Sequence, residues 1–412
     1  MNLKNIIIHP SGYFWEFWGR YIPEMLIPIM DELQEGFFKI KDTNEFQEEL
    51  HNLYKNFVGR PSPLTYCAHL SEKIGWWKIY IKNEGTNHTW AHKINHCVGQ
   101  ILLAKHLWKK RIIAETWAWQ HGLATASVAA KFWLKCIIYM GKKDYERQRP
   151  NVYYMELAGA QVIAVEEGDQ TLRSAVNAAI KDLINHSSDS YYLLGTACGP
   201  HPYPSMNVFF QKIIGEEVRK QLSESIWKTP DILIACVGGW SNAQGLFYEF
   251  LDDPLIRMIG VEAWGKWVDT GKHAARFTQK QLWVVEGYKS YFLQNTDWQI
   301  SETYSLSAGL DYSWVSPQLA YLEKIRRVEM VSITDDEALE ALSLLMKTEG
   351  ILPALESAHA VAHTIKIAKT TRKDQIIVCN LSGRWDKDLF ITAPKFDPKF
   401  RDFLESYLHN IS

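Results

Sequence analysis

The chain has 412 residues, 47% of them hydrophobic and 22% charged, with a formal net charge of −2. That length leaves room for two or three domains, and the near-neutral balance gives no reason to expect a nucleic acid or an acidic membrane surface as partner. No apolar run approaches the ~18 residues of a membrane span, and the opening MNLKNIIIHP breaks at Pro10, so no secretory leader is expected.

Taken in chain order, short apolar runs recur at RIIAE (111–115), KCIIYMG (135–141), AQVIAVE (160–166), DILIACVGG (231–239), IRMIGVEA (256–263) and DQIIVCNLSG (374–383). Segments of helical periodicity separate them, such as TLRSAVNAAIKDLI, FFQKIIGEEVRKQL and ESAHAVAHTIKIAKT. Continuous apolar strands alternating with helices predict an α/β fold with mostly parallel sheets covered on both faces. Thr334 ahead of DDEALEALSLLM predicts a helix start with acids in its first turn. The six cysteines form no CxxC pair and read as small buried hydrophobes of a reducing, cytoplasmic compartment.

In such sheets ligands gather at the carboxyl ends of strands, where polar-rich turns such as ETWAWQHG (115–122) fall. NHTWAHKINH (87–96) puts Lys93 at a helix start. A partly desolvated lysine there has a lowered pKa and suits Schiff-base chemistry, although a lone lysine of this kind is ordinarily a surface residue. His88, His92 and His96 repeat every fourth residue, a spacing able to hold zinc on a helix, but His88 precedes the predicted helix, and no metal centre is assigned. CVGGWSNA (236–243) runs from a strand through two glycines into a helix whose free N–H groups could cradle a phosphate. NLSGRWDKD (380–388) follows another strand, and Ser382 there could face a heteroaromatic nitrogen or simply make a turn.

Together with GRPSPL (59–64), ETWAWQHG (115–122), GPHPYP (199–204), VDTGKHAA (268–275), SAGLDY (307–312) and PALESAHA (353–360), these segments resemble the β chains of tryptophan synthase, pyridoxal-phosphate (PLP) enzymes of fold-type II. The resemblance runs from about residue 10 to 390. It implies two three-layer domains with twisted, mostly parallel sheets: residues 1–58 with 92–210, including a mobile subdomain at about 108–195, and residues 59–91 with 211–412, which hold the cofactor phosphate. It implies that Lys93 carries PLP. Gly238, Gly239, Trp240, Ser241 and Asn242 would hold the phosphate with His92 beside it, Ser382 would face the pyridine nitrogen, and Glu356 would lie near the ring. Thr116, Ala118, Gln120 and His121 would bind the carboxylate of L-serine. Glu115 would be the acid/base for the leaving hydroxyl and for indole, and Asp311 would pair with Arg147 on closure. An α subunit, a β–β dimer and a monovalent cation site complete the implied assembly. Two other readings stand beside it: a serine or threonine dehydratase-like lyase of the same fold type, and a non-catalytic scaffold.

The departure from the family is a matter of one residue type. Trp117, Trp119 and Trp240 stand where the family has glycine, and all seventeen tryptophans fall on positions of that kind, while glycine numbers only 24. This pattern implies a gene that writes glycine as UGA and was translated with UGA as tryptophan. Read literally, the tryptophans would obstruct the phosphate loop, the substrate loop and the indole tunnel.

Overall fold

The computed structural model describes residues 2–118, 120–267, 270–384, 388–400, 402–404 and 406. Trp119 and Trp385 lie outside them, as do two residues of the VDTGKHAA segment.

Six strands form the larger sheet, in the order Glu329–Thr334, Arg257–Gly265, Ile232–Cys236, Ile376–Leu381, Lys78–Asn83 and Leu64–Tyr66. All neighbours are parallel except the last pair. Its three central strands, Arg257–Gly265, Ile232–Cys236 and Ile376–Leu381, are buried on both faces, and period-2 geometry divides their side chains. Ile232, Ile234 and Cys236 enter one core with Ile79, Ile259 and Ile377, whereas Leu233 and Ala235 enter the other with Met258 and Ile376. This is why the strands read as unbroken apolar runs.

A second, all-parallel sheet orders Gln161–Val165, Lys135–Gly141, Arg111–Glu115 and Ser190–Tyr192 around a third core built on Ile112, Ile113 and Ile138. The expected α/β architecture with helix-covered parallel sheets is the one observed. All six cysteines are free and buried.

Two features lie beyond the sequence reading. An antiparallel sheet joins Tyr13–Phe14 and Phe17–Trp18 to the hairpin Lys280–Val285 and Tyr288–Leu293. The run FFQKIIGEEVRKQL, expected as one helix, is shared by two, Tyr203–Gln211 and Ile213–Ile226, which meet at Lys212. Thr334 does start the helix Asp335–Glu349, its hydroxyl accepting from the Glu337 amide while the Glu337 carboxylate accepts from the Thr334 amide.

The backbone singles out the tryptophans. Among the described residues thirteen non-glycine positions have left-handed φ, and nine are tryptophan: Trp15, Trp76, Trp90, Trp108, Trp133, Trp227, Trp240, Trp267 and Trp298. Trp227 caps the helix Ile213–Ile226 at φ 55°, where glycine is the usual residue because a Cβ there crowds the following carbonyl. Trp77 behaves differently: it is buried in the core with its indole N–H donating to the Thr371 carbonyl at 3.2 Å.

Candidate active site

Three strand ends converge on one cleft. The strand Arg111–Glu115 delivers Thr116, the strand Ile232–Cys236 delivers the loop from Gly238 to Asn242, and the strand Ile376–Leu381 delivers Ser382. Lys93, the first residue of the helix Lys93–His106, projects between them. His92, Lys93, Thr116, Ala118, Gln120, His121, Gly238 to Asn242, Glu356 and Ser382 all line this cleft.

The Lys93 ammonium donates to the Gly195 carbonyl at 3.1 Å, and burial lowers its pKa from the ordinary lysine value. That makes a neutral, nucleophilic amine more accessible near neutral pH. His92 is neutral: burial, then the charge of Lys93, brings its pKa down to about 4, and its Nδ1 lies 3.0 Å from the Ser382 carbonyl. At the opposite end the Ser382 hydroxyl lies 3.0 Å from the Ser357 hydroxyl and 3.6 Å from the Cys236 thiol. Glu356 accepts from the Gly309 amide at 3.0 Å.

The glycine loop is tightly enclosed. A Cβ on Gly239 would stand 1.7 Å from the Thr196 hydroxyl, and one on Gly238 would stand 2.4 Å from the Gly309 carbonyl. Below the loop the fully buried Arg276 guanidinium donates to the Gly238 carbonyl at 2.8 Å and to the Val237 carbonyl, with Glu262 at 2.9 Å as its counter-ion. Turning those carbonyls down toward Arg276 leaves the loop's N–H groups to face the cleft, as an anion cradle requires. Sequence reasoning missed Arg276 because VDTGKHAAR gives no sign that its arginine is buried.

Trp240 sits at the entrance to the helix Ser241–Phe247 with φ 84°. Its ring does not fill the cradle, as the literal reading had it. The indole turns into the core, 5.4 Å from the Phe247 ring and 1% exposed, and its Nε1 has no partner among the described residues. Trp117 obstructs instead. Its indole donates to the Ala308 carbonyl at 2.8 Å and stands edge-on to Tyr312 at 5.3 Å. The cleft between Lys93 and the loop is left with a cavity of about 40 Å³, room for only a few waters.

Two larger cavities share Trp117 and Tyr312 as walls with the cleft. One, about 290 Å³, is mostly apolar and takes Glu115 with Leu26, Met30, Ile180, Leu194 and Tyr203 in its lining. Burial pushes the Glu115 acid up to about 7, which suits a proton donor and acceptor near neutral pH. The other, about 390 Å³, has Arg147 and Asp311 on its wall. They are not paired here: Arg147 donates to Asp144 at 2.9 Å, while burial raises the Asp311 acid above its usual range.

The four-residue histidine repeat does not converge. His88 lies 3.0 Å from the Ser127 hydroxyl and against the Phe57 ring, and His96 stacks on His121 at 5.4 Å between ring centres. The closest His/Cys grouping among the described residues is His96, Cys97 and His121. Of its ring nitrogens, His96 Nδ1 lies 3.0 Å from Gln100 Nε2, His121 Nε2 lies 2.9 Å from the Leu193 carbonyl and His121 Nδ1 faces the Cys97 thiol at 3.7 Å, while His96 Nε2 has no partner among the described residues.

The donor set fits PLP: a buried lysine, an amide cradle closed to any Cβ, a helix start bearing Ser241 and Asn242, and a hydroxyl at the far end. The space of about 40 Å³ does not fit it as it stands, and Trp117 is one of the large side chains that wall it.

Comparison with known proteins agrees with that geometry. The sequence pattern of the pyridoxal-phosphate dependent enzymes matches residues 56–383. The chain is 51% identical over 383 residues to a protein of Fusobacterium nucleatum named tryptophan synthase beta chain, covering 93% of this chain and 97% of the relative. It is 48% identical over 392 residues to the protein of that name from Methylibium petroleiphilum, covering 95% of each. Among solved structures, a pyridoxal 5'-phosphate-dependent aspartate racemase superposes with a TM-score of 0.62 over 83% of this chain and 95% of its own, at 15% identity, a likeness of fold alone.

Proposed function

The chain belongs to the pyridoxal-phosphate dependent enzymes and, within them, to the tryptophan synthase β chains, and from that premise we propose how its cleft joins L-serine to indole with release of water. The observation that carries the reading is the shared wall at residue 117. It separates the Lys93 cleft from an apolar cavity of about 290 Å³, suited to a small heteroaromatic ring, and Glu115 lines that cavity.

PLP, when bound, supplies an electron sink for the amino acid's α-carbon. Lys93, desolvated and free to lose its proton, removes the α-proton of the substrate held beside it. Thr116 and Gln120, with the backbone around Ala118 and His121, hold the substrate carboxylate at the start of the helix Gln120–Lys131. Glu115, titrating at about 7, gives a proton to the departing hydroxyl and takes one from the attacking ring carbon. Ser382 is a neutral hydroxyl, so it leaves the pyridine nitrogen less positive than an aspartate would and favours replacement at Cβ over transamination. Arg147 leaves Asp144 for Asp311 when the 390 Å³ cavity shuts. Glu356 stays beside the ring. The two bodies of the fold, residues 1–58 with 92–210 and residues 59–91 with 211–412, move against each other in that closure, with 108–195 the mobile part. An α subunit that provides indole, a second β chain, a monovalent cation and a cytoplasmic setting complete the reading.

It includes the tryptophans. Positions where the family has glycine and where the backbone is left-handed are glycine positions on two separate grounds. A left-handed bulky residue costs roughly 1–2 kcal/mol, so the nine observed would consume about as much as the 5–15 kcal/mol that stabilises a typical domain. The working protein therefore carries glycine there, with UGA as its codon. UGG at codons 117, 119 and 240, or tryptophan in peptides from the native protein, would end this part of the reading.

The enzymatic part is tested on protein with glycine at all seventeen positions. Adding PLP should give a visible absorption band that Lys93→Ala abolishes, and L-serine should be consumed with indole to give L-tryptophan. A dehydratase would release a keto acid from serine without indole, and a scaffold would stay colourless.

A further inference from the structure

The helix Tyr203–Gln211 ends in a glutamine to which no role has yet been given. Gln211 is fully buried, and its side-chain amide reaches both halves of the site. Its Nε2 donates to the His92 carbonyl at 3.1 Å, one residue ahead of Lys93, and to the Ser241 hydroxyl at 3.2 Å, the first residue of the cradle helix. Its Oε1 accepts from Asn95 Nδ2 at 3.1 Å. Asn95 in turn is tied to a buried ionic cluster: its Nδ2 donates to Glu84 at 3.0 Å and its Oδ1 accepts from Arg60 at 2.9 Å. Arg60 forks onto Glu84 and Glu217, with contacts of 2.7 to 3.1 Å. The glutamine is thus held rigidly from behind.

On the far side Ser241 is also 2.8 Å from Asn207 Oδ1, which in turn accepts from Gln244 Nε2 at 2.8 Å. In this orientation Asn207 Nδ2 and Gln244 Oε1 both lack partners among the described residues. Turning both amides over keeps the two hydrogen bonds and reverses them. Asn207 then donates to Ser241 and to Gln244, and the Ser241 oxygen accepts from Gln211 and Asn207 together. Its own proton is released to point into the cleft, toward an anion.

We infer that Gln211 and Asn207 are positioning residues that set the distance between the Lys93 amine and the anion cradle and make Ser241 a dedicated donor to a phosphate. The physical need is plain. A phosphorylated aldehyde must meet the amine and the cradle at once, and affinity from two ends depends on both being held at the right separation. An aldehyde without a phosphate needs only the amine.

This rests on the cofactor reading above and is tested so that the two fail differently. Protein with the seventeen glycines is titrated with PLP and with pyridoxal, its phosphate-free counterpart, following absorbance of the lysine-linked chromophore, in the parent and in Q211L and N207L. Each variant should bind PLP about tenfold or more weakly, the loss of one or two buried hydrogen bonds, while pyridoxal affinity changes far less. Equal losses for both aldehydes, or no loss for PLP, would overturn the inference, because a merely structural role does not distinguish them. A parent that binds neither aldehyde would instead overturn the cofactor reading. N207D gives an independent check that needs no cavity: a carboxylate holds the Ser241 proton and faces the anion, so PLP should suffer more than in N207L.

Discussion

Three helices end in a tryptophan that nothing covers, and they allow the glycine argument to be tested as energetics, apart from any gene sequence. Trp108 follows the helix Lys93–His106, Trp133 follows Gln120–Lys131 and Trp227 follows Ile213–Ile226, with φ of 59°, 55° and 55°. Each amide still makes the bond expected of a helix end, to the carbonyls of Lys105, Ala130 and Ser223 respectively. Their side chains are 87%, 96% and 88% exposed, so removing them gives up almost no buried area. What remains is the Cβ clash of a left-handed residue, about 1–2 kcal/mol, less the larger chain entropy that glycine brings to the unfolded state, about 0.5–1 kcal/mol. Alanine keeps the Cβ and loses the indole, so it separates the two effects. Replacing all three by glycine should stabilise the protein over the triple alanine variant by roughly 2–3 kcal/mol, sites on different helices adding nearly independently. Urea unfolding of the three proteins, or half-lives at fixed temperature where unfolding is irreversible, gives the ranking. If the glycine variant is no more stable than the alanine variant, the left-handed strain is not there and the structural half of the argument fails.

Four further outcomes are expected. In the glycine-bearing enzyme Glu115→Gln should lower turnover by about 10²–10⁴-fold. It should also flatten a pH dependence of stability: burial holds the Glu115 acid at about 7 against an ordinary 4.5. The folded chain therefore keeps a proton that the unfolded chain gives up, and stability present below 4.5 is lost as pH rises through 7. Asp144→Asn releases Arg147 for Asp311 and should lower the KM for serine by about two- to fivefold, the weight of a half-exposed ion pair; an unchanged KM would count against the closure. Trp117→Gly, alone in an otherwise literal chain, should restore more PLP binding than Trp240→Gly, since of these two rings the one at 117 stands between cavities while the one at 240 turns into the core. Thr334→Ala should cost about 1 kcal/mol in unfolding experiments through loss of the helix cap, leaving activity untouched.

Much of this site was legible because its parts are local. A strand followed by glycines and a helix start announces an anion cradle from consecutive residues, and CVGGWSNA folds as such. Thr334 and Glu337 cap their helix through a spacing of three. The alternation of Ile232, Leu233, Ile234 and Ala235 between two cores leaves its trace as an apolar run. What escaped reading depends on residues far apart in the chain. The antiparallel sheet pairs Trp18 with Lys289, and no short-range pattern foretells such a partner. Arg276 and Gln211 look like ordinary surface polar residues beside helical segments, and only the fold reveals them as buried supports of the glycine loop and of Ser241.

Two physical kinds stand out among the described tryptophans, and the difference bears on cause. At 108, 133 and 227 the side chain is harmless and the backbone is wrong; at 117 the backbone is ordinary and the side chain is a wall common to three cavities. A protein adapting to bulk at a functional site would clear space for the new ring, yet Trp117 stands edge-on to a second large ring, Tyr312, at 5.3 Å. A protein adapting to strain would not place tryptophan, with its large apolar surface, on open helix ends. Helix ends and substrate loop share no function, no environment and no burial. They share only that glycine suits each of them, for conformational freedom in one case and for room in the other. A single cause acting on the codon, blind to the site, accounts for both.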